Sequence, residues 1–445
     1  MEKHEVAIIT IPFPGQGHLN QLLQISALLS SHGLPVYYAA AAIHNRQARA
    51  RLNGLNVAQI HFHDLPTPPF ASPLPDPNSS IKFPTQLQPA WTASLALRQP
   101  LAAFLKGVAA KFKRIVVVHD SMMAAAVQDV ASIPNAESYA LWCISAYSLA
   151  SYFVKDESKT LSSFEEDDLP EEIRHLTMLQ QEPLKLRSGD LYNTCRLIEA
   201  PYLEVLERAE DVGNRRSWAI APILPPPNKN QSHKTLEWLD KHEADSVIYV
   251  AFGTTISMSD DEISELALGL EQSGVKFLWV LRDADRGDVF DGQVRRARVP
   301  EGFEERVEGV GMVERDWAPQ PQILAHPAIG GFMSHCGWNS CIESVTTGVA
   351  MAAWPMHSDQ PRNTVLITQV LRVGVAVRKW RERKEVVKAG NIAEVVRKLM
   401  TSEEGSEMRR RAKELGGAVR RGAQPGGAAR GELDSFVAHV TRHKD

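Results

Sequence analysis

A histidine and an aspartate in the first half of the sequence have the residue types and positions of a catalytic base. His18 follows an apolar run and the glycine-rich turn PGQG, and Asp120 ends a second apolar run. Both are expected at the carboxyl edge of a parallel sheet, where ligands of such sheets collect. A carboxylate bonded to one imidazole nitrogen fixes the tautomer of the ring, and the other nitrogen can accept a proton from a hydroxyl. Each residue alone is equally compatible with a helix cap.

A denser set of polar and aromatic residues lies at 317–360. Within it, the apolar run Ile329–Ser334 predicts a buried strand, and a helix is predicted to begin near Trp338. A helix that begins directly after a strand presents unpaired N–H groups and the positive end of its dipole. The sequence therefore predicts a diphosphate site at this point.

Neighbouring side chains extend this prediction to a nucleotide. Trp317 offers a flat surface on which a base can stack. His335 can donate to a phosphate oxygen, and Gly337 lets the backbone approach closely. Glu343 lies on the predicted helix, where it can accept from the hydroxyls of a ribose.

The last polar pair of the stretch predicts a sugar. A strand over residues 349–354 delivers Asp359 and Gln360 to the same sheet edge, and a carboxylate and an amide suit the vicinal hydroxyls of a hexose. Two plainer interpretations remain open. Asn339 and Ser340 fit a simple helix cap, and Asp359 with Gln360 could merely begin a surface helix.

The stretch at 317–360 resembles the signature box of the plant family 1 UDP-glycosyltransferases, and weaker similarity extends along the chain. The resemblance implies the GT-B fold, an α/β architecture in which two Rossmann-like parallel-sheet domains face a cleft. It implies that Trp317 stacks on uracil and Glu343 binds the ribose, and it associates a final Gln360 with glucose. It assigns the diphosphate to His335, Asn339 and Ser340, and the sugar to Asp359 and Gln360. The full predicted donor set is Trp317, Ala318, Gln320, His335, Gly337, Trp338, Asn339, Ser340, Glu343, Asp359, Gln360 and Thr254.

The assignment of Thr254 rests on the segment FGTT, whose glycine and hydroxyls suit a phosphate or sugar oxygen. An ordinary turn fits this segment nearly as well. Relatives often carry serine where this chain has Ala251, so a contact from that side chain is missing here.

The same resemblance supports a catalytic role for the first pair. The segment GHLN at 17–20 is similar to the family segment that carries the catalytic histidine. With His18 as base and Asp120 behind it, an acceptor hydroxyl would attack the anomeric carbon while UDP leaves from the opposite face. One displacement inverts the anomeric centre, so an α-linked donor is expected to give a β-glycoside.

The acceptor is less well specified by the sequence. Candidate acceptor residues, which core packing explains equally well, are Phe13, Trp91, His119, Met122 and Trp142. The segments IPFPGQGHLNQLL, HDSMMA, NTCR and WPMHSDQPRN resemble zeatin (cytokinin) O-glucosyltransferases. That resemblance implies the side-chain hydroxyl of zeatin as nucleophile. A flavonoid or other small phenolic acceptor, UDP-xylose as donor, and cis or trans zeatin all stay open.

Composition bounds the class of protein. At 445 residues with 44% hydrophobic and 23% charged residues, two ordinary globular domains are expected. A net charge of −4 favours neither nucleic acid nor anionic membrane as a partner. The four cysteines form no CxxC pair. No signal peptide or apolar span is evident. We expect a cytoplasmic monomer that needs no metal or other cofactor, with UDP-glucose as co-substrate and a small-molecule acceptor.

Three rival functions would each need a different set of residues. A dinucleotide-dependent dehydrogenase would need a third glycine where Asn20 stands. A metal-dependent glycosyltransferase would use an Asp-x-Asp motif, which Asp283 and Asp285 could supply, but these lie in a charged loop that favours solvation. A non-catalytic nucleotide-sugar binding protein would keep residues 317–360 and lose His18 or Asp120.

The elements must place these residues at facing sheet edges. A helix is predicted at 19–31, long loops at 66–89 and 161–172, and a flexible loop at 416–431. The predicted division is an acceptor-binding and catalytic domain at 1–220, a linker at 221–235, a UDP-sugar-binding domain at 236–430, and a helix at 431–445 that returns to the first domain.

Overall fold

The computed structural model describes most of the chain. The described residues are 4–52, 55–80, 82–153, 170–208, 215–220, 222, 233–287 and 295–442. The predicted loop at 161–172 therefore lies outside the described residues up to 169, and so do 221 and 223–232 of the predicted linker.

The N-terminal sheet has seven strands in the order β3-β2-β1-β4-β5-β6-β7, all parallel. The strands are β1 His4–Ile11, β2 Val36–Ala41, β3 Ile60–Leu65, β4 Phe112–Asp120, β5 Ala136–Trp142, β6 Gly189–Tyr192 and β7 Arg216–Ala219. Central strands such as β4 are buried apolar runs, as parallel sheets covered on both faces require. Because Ile11 of β1 is aligned with His119 of β4, the segments that follow these two strands leave the sheet side by side.

Helices connect these strands and cover both faces of the sheet. They are α1 Gln16–Ser30, α2 Ala42–Ala50, α3 Gln88–Ser94, α4 Arg98–Ala109, α5 Ala124–Val127, α6 Ala146–Phe153, α7 Glu171–Leu184 and α8 Arg196–Arg208. The predicted helix at 19–31 begins earlier than expected, so that His18 lies in the first turn of α1. The predicted loop at 66–89 ends earlier than expected, because α3 begins at Gln88. Trp91 lies on this helix.

The C-terminal sheet has six parallel strands in the order β10-β9-β8-β11-β12-β13. They are β8 Val247–Ala251, β9 Lys276–Val280, β10 Gly311–Glu314, β11 Ile329–Ser334, β12 Ala350–Ala353 and β13 Gly374–Ala376. The helices are α9 Lys234–Leu239, α10 Asp260–Ser273, α11 Phe303–Arg306, α12 Gln320–Leu324, α13 Trp338–Thr347, α14 Gln360–Val365, α15 Ala389–Thr401, α16 Glu403–Gly422 and α17 Ala428–Thr441. The predicted class of two parallel-sheet α/β domains is confirmed.

The last helix packs against the N-terminal sheet although it follows the C-terminal one. Leu433, Phe436 and Val440 of α17 are buried in the core formed by the first sheet. The ring of Phe436 meets Tyr139 at 5.4 Å and Trp218 at 5.2 Å between centroids. The exact domain boundaries stay predictions.

The prediction of a flexible loop at 416–431 was wrong. Helix α16 continues to Gly422 and α17 begins at Ala428. The glycines there serve close packing: a Cβ on Gly416 would lie 2.7 Å from the Cα of Gly348 at the end of α13. Tertiary contact thus outweighs the weak helix propensity of glycine. Within the described part of the chain, every helix is too short or too polar to cross a membrane.

Candidate functional site

His18 and Asp120 are in direct contact. The Nδ1 atom of His18 lies 2.7 Å from Oδ2 of Asp120. The aspartate is fully buried at the end of β4, whereas the histidine side chain is 32% exposed toward the cleft. Asp120 also accepts from the backbone N–H of Met122 at 2.9 Å and from the thiol of Cys143 at 3.2 Å. The carboxylate is thereby fixed, and the other nitrogen of His18 remains available for a proton.

The two groups shift each other's ionisation. Burial alone would lower the pKa of His18, but the charge and hydrogen bond of Asp120, with a contribution from Asp359, raise it above its usual value. Burial would raise the pKa of Asp120, yet His18 and the donors of Met122 and Cys143 hold it below the usual range. The geometry therefore stabilises an imidazolium after proton uptake.

Aromatic side chains form a wall beside this pair. The ring of Phe13 meets His18 edge-on at 5.3 Å and stacks with Trp91 at 5.6 Å between centroids. The indole N–H of Trp91 donates to the carbonyl of Pro14 at 2.6 Å. Phe83 closes the wall against Trp91. Phe13, one of the predicted acceptor residues, is thus next to the base, and Trp91, another, packs against Phe13.

The other three acceptor candidates have different surroundings. His119 is buried behind the pair, its Nδ1 lies 2.8 Å from the carbonyl of Asp120, and burial lowers its pKa to about 4. The indole of Trp142 donates to Asp190 at 2.6 Å. Met122 is half-buried and packs against the core of the first sheet. Acceptor binding by these residues stays a prediction.

The start of α13 faces the first domain. Its indole and amide side chains cross the cleft: Trp338 Nε1 donates to the carbonyl of Asn193 at 2.8 Å, and Asn339 Nδ2 donates to the carbonyl of Gly17 at 2.8 Å. The predicted diphosphate site therefore begins next to the residue that precedes His18. Trp338 is used as a bridge between the domains, and phosphate binding by Asn339 stays a prediction.

His335, which follows β11, is packed closely between two glycines. A Cβ on Gly253 would lie 2.7 Å from its ring, and a Cβ on Gly337 would lie 2.6 Å from its Nε2. Gly253 also has a φ of 75°, a left-handed conformation. Both this conformation and the lack of space for a Cβ favour glycine at this position. Burial lowers the pKa of His335 to about 4, which leaves a neutral ring at physiological pH. Within the described residues, its Nδ1 atom has no hydrogen-bond partner.

The predicted ribose contact is buried among polar partners. Gln320 Nε2 donates to Glu343 at 2.7 Å and to Ser340 Oγ at 3.0 Å. Burial raises the pKa of Glu343 to about 7, although the Gln320 bond opposes this. Trp317 is half-buried and Ala318 beside it is buried. Gln320, Ser340 and Glu343 of the predicted donor set are thus in contact, and donor binding by these residues stays a prediction.

The predicted sugar contacts lie at the start of α14. Asp359 is half-buried, and burial raises its pKa. The Oε1 atom of Gln360 accepts from the backbone N–H groups of Met356 at 2.8 Å and His357 at 3.0 Å, so this amide shapes the turn before the helix. Thr254 lines the cleft beside Gly15 and Asp285. Their contacts with a sugar stay predictions.

Several residues of the site carried no clear sequence signal. Cys143 bonds Asp120, and Arg51 forms a two-pronged ion pair across the cleft with Asp285, whose shorter distance is 2.5 Å. Asn363 bonds residues of both domains. Asn363 stands four residues after Asp359, so a helix that begins at Asp359, one of the two interpretations left open, would place both side chains on one face.

The ligand atoms of His18, Asp120 and Cys143 lie within 4.8 Å of one another, close enough for a metal ion. The thiol, however, donates to the carboxylate, and burial followed by the charge of Asp120 raises its pKa well above the usual value. A protonated thiol is a poor metal ligand. These atoms fit a hydrogen-bonded base better than a metal centre.

These features belong to a defined class of enzyme. Residues 4–225 match the family described as glycosyltransferase, N-terminal domain, and residues 218–397 match UDP-glucoronosyl and UDP-glucosyl transferase. The chain belongs to this family and is a UDP-glycosyltransferase, which confirms the resemblance.

Relatives cover the whole chain. It is 46% identical to the zeatin O-xylosyltransferase of Phaseolus vulgaris, over 99% of this chain and 99% of that protein. It is 41% identical to cis-zeatin O-glucosyltransferase 1 of Zea mays, over 98% of each. Phytolacca americana UGT2, solved in complex with UDP-2fluoro-glucose and pterostilbene, matches with a TM-score of 0.78 at 25% identity, over 98% of this chain and 100% of that one.

Proposed function

We propose that this chain is an inverting O-glycosyltransferase that transfers glucose from UDP-glucose to the side-chain hydroxyl of zeatin. One observation carries the catalytic part of the proposal. The His18–Asp120 bond of 2.7 Å stands directly beside the contact of Asn339 with Gly17. The base is thus adjacent to the start of the helix that is predicted to bind the diphosphate.

The reaction follows from this adjacency. His18 holds its Nδ1 proton toward Asp120, so Nε2 accepts the proton of the acceptor hydroxyl as its oxygen attacks the anomeric carbon. The bond between that carbon and the diphosphate breaks on the opposite face. The N–H groups at the start of α13 and the neutral ring of His335 stabilise the charge that develops on UDP. The anomeric centre is inverted, and an α-linked donor gives a β-glycoside.

The acceptor assignment is supported by relatives and by the local surface. Relatives at 41–46% identity over nearly the whole chain are zeatin O-glycosyltransferases. Phe13, Phe83 and Trp91 beside His18 supply an apolar surface that suits an isoprenoid side chain. Glucose is proposed as the sugar, with Asp359 and Gln360 as its contacts.

The proposal includes no metal and no other cofactor. His18 supplies the base, and the helix start supplies the stabilisation of the leaving group, so full activity is expected in the presence of a chelator. We also propose that the enzyme acts in the cytoplasm as a monomer, with its two small-molecule substrates as partners.

Product analysis tests the proposal. Purified enzyme is incubated with cis-zeatin, trans-zeatin or a flavonol, each with UDP-glucose or UDP-xylose, and products are identified by mass spectrometry and by the anomeric coupling constant in NMR. A β-O-glucoside of zeatin is expected. Conjugation of the flavonol alone would contradict the acceptor, exclusive use of UDP-xylose would contradict the sugar, and an α-linked product would contradict the mechanism. Binding of UDP-glucose without release of UDP would favour a binding protein.

A further inference from the structure

Asn363 lies between the two sheets with every polar atom of its side chain in use. It is fully buried on α14. Its Oδ1 atom accepts from the hydroxyls of Ser145 at 2.7 Å and Ser148 at 3.2 Å, at the start of α6 in the N-terminal half. Its Nδ2 atom donates to Oδ2 of Asp359 at 2.8 Å and to the carbonyl of Cys336 at 2.9 Å.

These partners leave the amide one orientation. Asp359 Oδ2 and the carbonyl of Cys336 can only accept, so the nitrogen of Asn363 must face them and its oxygen must face the serines. A rotated amide would turn its oxygen toward a carboxylate and a carbonyl. While the nitrogen of Asn363 donates to Asp359, its oxygen therefore has hydrogen-bond donors only if the two serine hydroxyls are present.

The second acceptor of the amide nitrogen is also at the donor site. Cys336 stands between His335 and Gly337, and its φ of 63° is a left-handed conformation that residues other than glycine rarely adopt. The bond from Asn363 helps to hold this carbonyl, and with it the turn that leads into α13. The turn has a further bond of its own, from the N–H of Cys336 to Ser334 Oγ at 3.2 Å, so loss of the serine bonds is expected to affect the sugar contact more than the phosphate turn.

The serines are themselves fixed. Glu199 accepts from the backbone N–H groups of Ala146 at 3.1 Å and Tyr147 at 2.7 Å, and Ser145 Oγ accepts from the N–H of Ser148 at 3.0 Å. These bonds fix the start of α6 within the N-terminal domain. The hydroxyls of Ser145 and Ser148 therefore move with that domain.

We propose that Asn363 is a positioning residue that couples docking of α6 to the orientation of Asp359, so that the sugar end of the donor site is complete only when the two domains are together. The proposal rests on the proposed role of Asp359 as a sugar contact. If the domains separate, Asn363 loses two of its bonds and Asp359 loses a fixed donor. By linkage, donor binding then favours the closed arrangement.

The test uses variants in the domain that does not bind the donor. Calorimetry measures binding of UDP-glucose and of UDP, without acceptor, to the double variant Ser145→Ala/Ser148→Ala. Because a lost hydrogen bond costs about 1 kcal/mol, we expect Kd for UDP-glucose to rise by about five- to tenfold and Kd for UDP by less than about twofold. The control is Ser151→Ala, on the same helix, whose hydroxyl bonds the carbonyl of Ser148 and not Asn363.

Unchanged UDP-glucose binding in the double serine variant would overturn the proposal. So would an equal loss for UDP and UDP-glucose, which indicates a general change in the closed state. A cycle with Asn363→Ala sharpens the test: the triple variant should bind UDP-glucose no more weakly than Asn363→Ala alone, and additive losses would contradict the coupling. If Asn363→Ala does not fold, the serine variants still decide.

The outcome is distinguishable from failure of the proposed function. Donor binding is measured without zeatin, so a wrong acceptor leaves the result unaffected. If Asp359→Ala in the otherwise unchanged enzyme binds UDP-glucose as tightly as wild type, the sugar role of Asp359 fails first, and the coupling to it fails with it.

Discussion

The donor side and the acceptor side of the cleft are built in opposite ways. On the donor side, residues close in sequence bond one another, as Gln320 does with Glu343 and Gln360 does with the backbone of Met356. The relative positions of these donor-side residues are thus fixed by bonds within one segment of the chain. Such a site is expected to keep its ligand while the rest of the protein diverges.

The acceptor side draws on distant segments. The wall beside His18 combines Phe13 after β1, Phe83 in a loop and Trp91 on α3, and these rings contact one another within the core of the first sheet. Substitutions in any of these segments can reshape the wall without touching the base. We infer that donor binding depends on one segment of the chain, whereas acceptor binding depends on several segments that meet only in the folded protein. The following predictions test that division.

The largest effect is expected at the proposed catalytic base. His18→Ala removes the base and should lower kcat by about 10²–10⁴, the usual contribution of general base catalysis, with KM for UDP-glucose close to wild type. Steady-state kinetics with saturating acceptor measure this. His175→Ala, an exposed histidine on α7, is the control and should be unaffected. Near-normal turnover of His18→Ala would disprove its role as base.

The next effect is confined to the donor side. Glu343→Ala should raise KM for UDP-glucose by about 10–100-fold, since hydrogen bonds to charged groups contribute roughly 1.5–3 kcal/mol, and should leave KM for the acceptor unchanged. Glu394→Ala on the exposed face of α15 serves as the matched control. A change in acceptor KM of similar size would break the division between the two sides.

Substitutions of Trp317 test the donor side in two steps, because alanine removes the stacking ring and phenylalanine only makes it smaller. Trp317→Ala should weaken UDP binding by about tenfold, within the range of roughly 1–3 kcal/mol for a base stacked on an aromatic ring. Trp317→Phe keeps a smaller ring and should fall between this variant and wild type. Calorimetric titration with UDP measures both, and identical affinities for the three proteins would exclude stacking.

The smallest effect is expected in the acceptor wall. Trp91→Phe keeps a ring against Phe13 but loses the bond to the carbonyl of Pro14, so the segment that leads to His18 is less firmly held. Because a single hydrogen bond contributes about 0.5–1.5 kcal/mol, KM for the acceptor should rise by roughly two- to tenfold. KM for UDP-glucose should stay constant, and a larger change in donor KM would contradict the predicted division.

The same contrast explains what could be read from the sequence. Apolar runs predicted the strands that end near His18 and at Asp120, because buried parallel strands are apolar and their carboxyl ends share one edge of the sheet. Gln320, Ser340 and Glu343 of the predicted donor set are in contact because consecutive elements of one domain carry them, and their role in donor binding stays a prediction.

Contacts between distant segments could not be predicted in this way. Nothing local indicates that Asn339 reaches Gly17 or that Arg51 reaches Asp285, since these pairs exist only once the domains meet. The helical course through Gly416 was missed for the same reason, because a close neighbour, and not local propensity, requires that glycine.

The proposed catalysis depends most on Asp120 acting through His18. Only neutral His18 can accept a proton, so kcat/KM must fall as pH drops through the pKa of His18, which Asp120 raises. The decisive measurement is the pH profile of kcat/KM for wild type and Asp120→Asn. Loss of the carboxylate should lower the maximum and move the acid limb to lower pH. An acid limb that stays where it is in wild type would contradict the pairing of His18 with Asp120 as the catalytic base.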